Sequence, residues 1–139
     1  IARWKGRIEP DSRSSEPIAF WDMLPTFADL AGVKPPAAVD GVSIAPVLLG
    51  ESESLGARTL YWEHPGGDLK NVNQAVRMGE WKGVRDGEGA PLEVYNLAAD
   101  LGETRDLAGD HPEIVQQLEA AIAAEHSEPR PHFRKGWTP

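Results

Sequence analysis

Gln74-Ala75-Val76-Arg77-Met78-Gly79-Glu80-Trp81-Lys82-Gly83-Val84-Arg85 is the stretch that decides the fold. Two short runs containing strand formers flank Gly79-Glu80, a glycine-first pair suited to a type II′ hairpin. Gly83 weakens the second run slightly, since a glycine inside a strand has no side chain to pack. Upstream, Thr59-Leu60-Tyr61-Trp62 is rich in strand formers and stops at the breaker Pro65-Gly66-Gly67. Downstream, Asp86-Gly87-Glu88-Gly89 turns the chain into Leu92-Glu93-Val94-Tyr95-Asn96-Leu97. Three or four antiparallel strands in sequence order make a meander the economical topology.

The sheet needs a cover. Asp110-His111-Pro112-Glu113 reads as a capping-box variant with Asp110 as cap, ahead of Ile114, Leu118, Ala121 and Ile122 on one helical face. The spacing predicts a closing helix of roughly four turns whose apolar stripe lies on the sheet, an α+β arrangement. Beyond it, Ser127 onward reads as an extended tail with Phe133 and Trp137 as its only apolar anchors.

The first part of the chain has a different rhythm. Ile1 to Ile8 resembles a short strand with no partner nearby, and the polar, proline-bounded loop Glu9 to Pro17 follows it. Asp22 is placed to cap a helix through Leu24, Phe27, Ala28 and Ala31, with Pro25 in its first turn and Gly32 as its stop. Ser43 is placed to cap one or two further turns ending at Gly50.

The 139 residues carry 14 Lys plus Arg against 22 Asp plus Glu, a formal charge of −8. Nucleic acid is excluded as a general partner, because a polyanion would meet net repulsion. Cysteine is absent, which removes disulfides, thiolate metal sites and cysteine nucleophiles. No stretch approaches the ~18–20 apolar residues of a membrane span. The first residues show neither an initiator methionine nor a signal layout, so the start reads as the interior of a longer frame.

None of the four histidines lies in a metal-binding spacing. His111 belongs to the helix entry, and His126 and His132 read as solvated tail residues. His64 differs, because it ends a strand before a Pro-Gly-Gly loop, where a side chain can be presented to a cleft. Its bland alternative is a loop histidine bonded to local backbone. The sequence has no G-x-S-x-G elbow and no glycine-rich phosphate cradle. Arg77, Lys82 and Arg85 line the hairpin and suit an anion, although outward charges are the default on a half-exposed sheet. Trp62 and Tyr61 fall on opposite strand faces and cannot form one sugar-stacking platform.

Phe20-Trp21-Asp22-Met23-Leu24-Pro25-Thr26 through Gly32 resembles the D-x-x-P-T-x-x-x-L-A-G helix of the sulfatases, the arylsulfatase-like branch of the alkaline phosphatase superfamily. Asp40-Gly41-Val42-Ser43 with Pro46 to Gly50 is similar to that family's D-G-x-S-x-x-P-x-L-x-G element. Tyr61 to His64, Ala75 to Arg77, Trp81-Lys82, Val94 to Leu97, Asp100 to Glu103, Asp106 to Ala108 and His111 to Glu113 resemble its closing sheet and helix, in order. The resemblance implies the C-terminal part of a sulfuric ester hydrolase. The full enzyme would use calcium and a formylglycine made within C/S-x-P-x-R. No such motif stands here: Ser15-Glu16-Pro17-Ile18-Ala19 ends in alanine, and Ser127-Glu128-Pro129-Arg130 brings arginine one place early.

The expectation is therefore a fragment with no catalytic residue and no metal ligand of its own. Residues 1–56 would belong to or bridge to a missing N-terminal catalytic domain of α/β type, 57–126 would form the C-terminal subdomain, and 127–139 the tail. The loop from Pro65 to Asn73 would border the substrate cleft, with His64, Asn73 and Lys70 as substrate-binding candidates. The alternatives are a related phosphodiesterase or phosphonate hydrolase, and an independent glycan-binding module. The isolated fragment is expected to expose an apolar patch in its first ~50 residues and either to self-associate or to be poorly ordered there. Its compartment is open, although bacterial relatives are commonly exported to the periplasm or secreted.

Overall fold

The computed structural model describes residues 1–65, 72–87 and 89–127. Lys70, most of the 65–73 loop and the tail beyond Ser127 lie outside the described residues. The chain divides into two compact units, Ile1–Ala57 and Arg58–Pro139.

In the first unit, Ile1 to Ile8 is not a strand. The Trp4 carbonyl accepts the N–H groups of Arg7 (3.0 Å) and Ile8 (2.9 Å), and the Arg7 guanidinium lies 5.5 Å from the Trp4 ring centroid. With no partner strand among the described residues, the segment turns on itself to satisfy these backbone groups. A 3-10 turn, Phe20–Asp22, leads into α1, Met23–Leu30, and a single-turn α2 spans Ala45–Leu48. Gly32, at φ 69, stops α1 as expected.

The two expected caps act differently from the sequence reading. Asp22, with 0% of its surface exposed, turns its carboxylate away from the start of α1. It accepts the N–H of Ala19 (2.7 Å) and of Val42 (3.1 Å) instead. Ile44, rather than Ser43, occupies the cap position of α2. Ser43 accepts the Ala45 N–H at 3.2 Å and donates to Asp29 at 2.6 Å. Thr26 donates to the Asp22 carbonyl (2.6 Å) and accepts the Ile44 N–H (3.0 Å). Asp22, Thr26 and Asp29 thus bind Val42, Ile44 and Ser43, which explains why the two sequence elements occur together. Gly41 passes so near Trp21 that a Cβ would sit 2.1 Å from its carbonyl oxygen.

The second unit holds the antiparallel meander β1 (Thr59–Pro65), β2 (Val72–Met78), β3 (Trp81–Arg85) and β4 (Glu93–Asn96), in spatial order β1-β2-β3-β4. Gly79 has φ 59 and Glu80 has no positive φ, the pattern a glycine-first turn requires. Helix α3, Pro112–Glu125, packs on the sheet. Val76, Gly83 and Val94 stand side by side in register. The Leu92 side chain fills the space above Gly83, and Leu118 and Ile122 close the core from the helix. Ile114 and Ala121 pack at its margin, as their spacing predicts.

Asp110 does not cap α3. His111 holds that position without a side-chain cap bond; its Nδ1 lies 3.2 Å from Glu113, and its ring is tilted against Trp81 at 5.0 Å. Asp110 pairs with Arg105 at 2.8 Å. The Asp106 carboxylate accepts the Val94 N–H at 2.9 Å and Leu107 donates to the Val94 carbonyl at 2.8 Å, so this loop covers the outer edge of β4.

Candidate functional site

The β1–β2 hairpin is the element singled out by the sequence, and strand alternation divides its residues between two faces. In the pairing register His64 stands directly opposite Asn73, and Trp62 opposite Ala75. These four share the face away from α3. His64 is exposed, Trp62 is 37% exposed, and Asn73 is half-buried with a buried Oδ1 that has no hydrogen-bond partner among the described residues. Two of the three candidates are thereby cross-strand neighbours at the hairpin end. An imidazole, a carboxamide and an indole can position a polar ligand.

The opposite face, under α3, carries a polar network that sequence reading missed. Tyr61 donates to Glu63, and the Gln74 amide donates to Tyr61 Oη (2.6 Å) and to Glu63 (2.9 Å). Arg85 Nε donates to the Gln74 carbonyl oxygen at 2.6 Å, and its Nη1 reaches Glu119 of α3 at 3.0 Å. His126, just past the end of α3, closes the network through Nδ1 onto Glu63. It is therefore not the solvated tail residue expected from sequence. The separation of 63 positions hides this contact from any local pattern.

The network sets the protonation of its members. Burial pushes the Glu63 carboxyl up, but the bonds from Tyr61, Gln74 and His126 outweigh it and hold the group below the ordinary carboxylate value. Burial and then the bond to the Glu63 carboxylate push the Tyr61 phenol well above 10.0. Gln74, only 3% exposed, has its amide fully used, as a buried polar group requires. The result is a polar weld between α3 and the strands that carry His64 and Asn73.

The three hairpin cations do not form an anion site. Arg77 donates to the Gly79 carbonyl at 3.0 Å, Lys82 pairs with Glu103 at 2.6 Å, and Arg85 faces the other side of the sheet. Among the described residues no group of three His, Asp or Glu could hold a metal ion, so calcium does not fit here. No helix of the described residues is long and apolar enough to cross a membrane.

A family model described as N-sulphoglucosamine sulphohydrolase, C-terminal, matches residues 1–128. The chain belongs to this family. A sulfatase of Formosa agariphila is 35% identical over 135 residues, covering 88% of this chain and 24% of its own length. Arylsulfatase K of Danio rerio is 30% identical over 113 residues, covering 78% of this chain and 22% of its own. The solved structure of a 2-O GAG sulfatase superposes with a TM-score of 0.59 at 28% identity, over 82% of this chain and 28% of that one. The chain thus spans about a quarter of the length of the curated relatives it matches. Membership of the sulphohydrolase C-terminal family bears out the resemblance carried by the ordered motifs, and the sheet with its covering helix is the α+β architecture expected from them.

Proposed function

We propose that this chain is the C-terminal region of a sulfatase that hydrolyses sulfate esters, and that it borders the substrate cleft without contributing nucleophile or metal ligand. One observation carries the cleft assignment: His64 and Asn73 are paired across the end of β1 and β2, on the face that α3 leaves uncovered. Family membership supports the reaction class. Calcium and formylglycine, implied for the full enzyme, would be held by residues outside this chain. Residues 1–56 bridge to that catalytic portion, and 57–126 form the closing subdomain. Lys70, from the intervening loop, is the third substrate-binding candidate.

The reading has a direct test in the full-length parent. His64→Ala and Asn73→Ala should each raise KM for a sulfate ester by up to about tenfold, the loss of one neutral hydrogen bond. The thermal midpoint of His64→Ala should stay within a degree or two of wild type, since His64 is exposed. Unchanged KM in both variants would remove the hairpin from the cleft. Turnover of a phosphonate monoester with none of the sulfate ester would sink the reaction class.

A further inference from the structure

In the first unit several large apolar side chains lie outside, Trp21, Met23, Leu30, Leu48 and Leu49 are half-buried, and the fully buried positions are mostly small. Its buried residues include Ala19, Pro25, Thr26, Ala28 and Ala45, with Ile44 the largest aliphatic among them. Phe20 is 89% exposed, Phe27 63%, Leu24 54%, and Ile18 and Val33 at the two ends 51% and 60%. Phe20, Leu24 and Phe27 fall at the i, i+4, i+7 spacing of one helical face. The distribution is inverted relative to an ordinary core, where large apolar side chains are those most often buried.

Within residues 18–33 nothing charged keeps this face in water. Between Ile18 and Val33 the only ionisable residues are Asp22 and Asp29. The first is fully buried on backbone N–H groups, and the second is bonded by Ser43. The backbone hydrogen bonds that the Asp22 carboxylate accepts fix the 3-10 turn that displays Phe20, so the stripe is preformed rather than a collapsed segment. A contiguous exposed apolar face of this kind marks an interaction surface.

Two arguments choose its occupant. About three quarters of each curated relative lies outside the part that this chain matches. That remainder is tethered, which raises its effective concentration far above that of a free partner. A second copy, by contrast, carries the same charge of −8 and is repelled on approach. We infer that the Phe20–Leu24–Phe27 stripe docks onto an uncharged, apolar surface of the parent polypeptide's remaining portion, with the two phenyl rings as its anchors. The inference rests on the reading of this chain as part of a longer enzyme, and assigns residues to a contact which that reading leaves unspecified.

These 139 residues contain no cysteine, so within them any labelled thiol is the introduced one. Phe20→Cys and Phe27→Cys are made in the full-length parent and in the 139-residue chain, and labelling is read peptide by peptide by mass spectrometry. The native parent should label at least a hundredfold more slowly than the denatured parent, and the isolated chain at least tenfold faster than the native parent. Equal rates in native and denatured parent overturn the inference. Protection already present in the isolated chain also overturns it, and deepening with concentration would identify a second copy as the occupant. Hydroxyl-radical footprinting of the two phenyl rings in the wild-type proteins gives the same comparison if a variant does not fold. Sulfate-ester turnover by the wild-type parent is measured in parallel. Turnover without protection sinks the interface alone, and protection without turnover sinks the reaction class alone.

Discussion

Gly41 and Asp22 show how single residues fix the first unit. A methyl group at position 41 would lie 2.1 Å from a backbone oxygen, which no side-chain movement can relieve. Gly41→Ala should destabilise the unit by at least the ~1–3 kcal/mol typical of overpacking, read as a lower denaturation midpoint with faster amide exchange at Val42 and Ile44. Asp22→Asn keeps the shape but turns an N–H2 toward one of two backbone donors. A loss of about 1–3 kcal/mol is expected from that unpaired contact; an unchanged midpoint would show that the carboxylate is dispensable. Neither role was legible in the residues themselves. Asp22 sits where a helix cap belongs, and only the loop 20 positions away reveals that its carboxylate is used elsewhere.

At the scale of elements, the sheet and closing helix were readable because their signals are local: alternation, a glycine-first turn, and an apolar stripe at helical spacing. Leu118, 1% exposed at the centre of that stripe, tests the packing. Leu118→Ala should cost ~2–5 kcal/mol in a denaturation experiment. The weld of Tyr61, Glu63, Gln74, Arg85 and His126 was not readable, since its partners come from three strands and from beyond the helix.

It has a measurable signature in Tyr61, whose phenol is held protonated, and Tyr95, the chain's other tyrosine, is held so by a separate bond. The bond to Glu93, followed by burial, raises the Tyr95 phenol to about 12, and Tyr61 is raised as well. A raised phenol stabilises the fold fully below its ordinary value near 10 and loses that contribution as pH rises through the folded value. Ultraviolet titration should therefore show little phenolate at pH 10, with both rings ionising together on alkaline unfolding. Ordinary titration of either ring near pH 10 would contradict the weld or the Glu93 bond. Glu63 works at the other end. Its depressed carboxyl contributes stability above 4.5 that is lost as pH falls through the lower folded value, so Glu63→Gln should flatten the acid limb of the stability profile.

At the scale of the whole molecule, the absence of cysteine, of C/S-x-P-x-R and of a metal-holding cluster among the described residues predicts inactivity of the chain alone. Incubation with a chromogenic aryl sulfate and calcium should release no product; turnover would show that the reaction needs nothing beyond these 139 residues. The ordered motifs made the family legible. The inverted burial of the first unit was not, because Phe20, Leu24 and Phe27 at helical spacing predict a buried face just as well as an exposed one.

The loop through Asp106 and Leu107 seals one side of the sheet, whereas among the described residues no strand pairs with the outer edge of β1. Strand addition between molecules is therefore directional. If this protein forms fibrils or swapped dimers, growth should start along Thr59–Pro65 and spare β4. A proline placed at a β1 position whose N–H points outward would poison that growth while leaving the pairing with β2 intact.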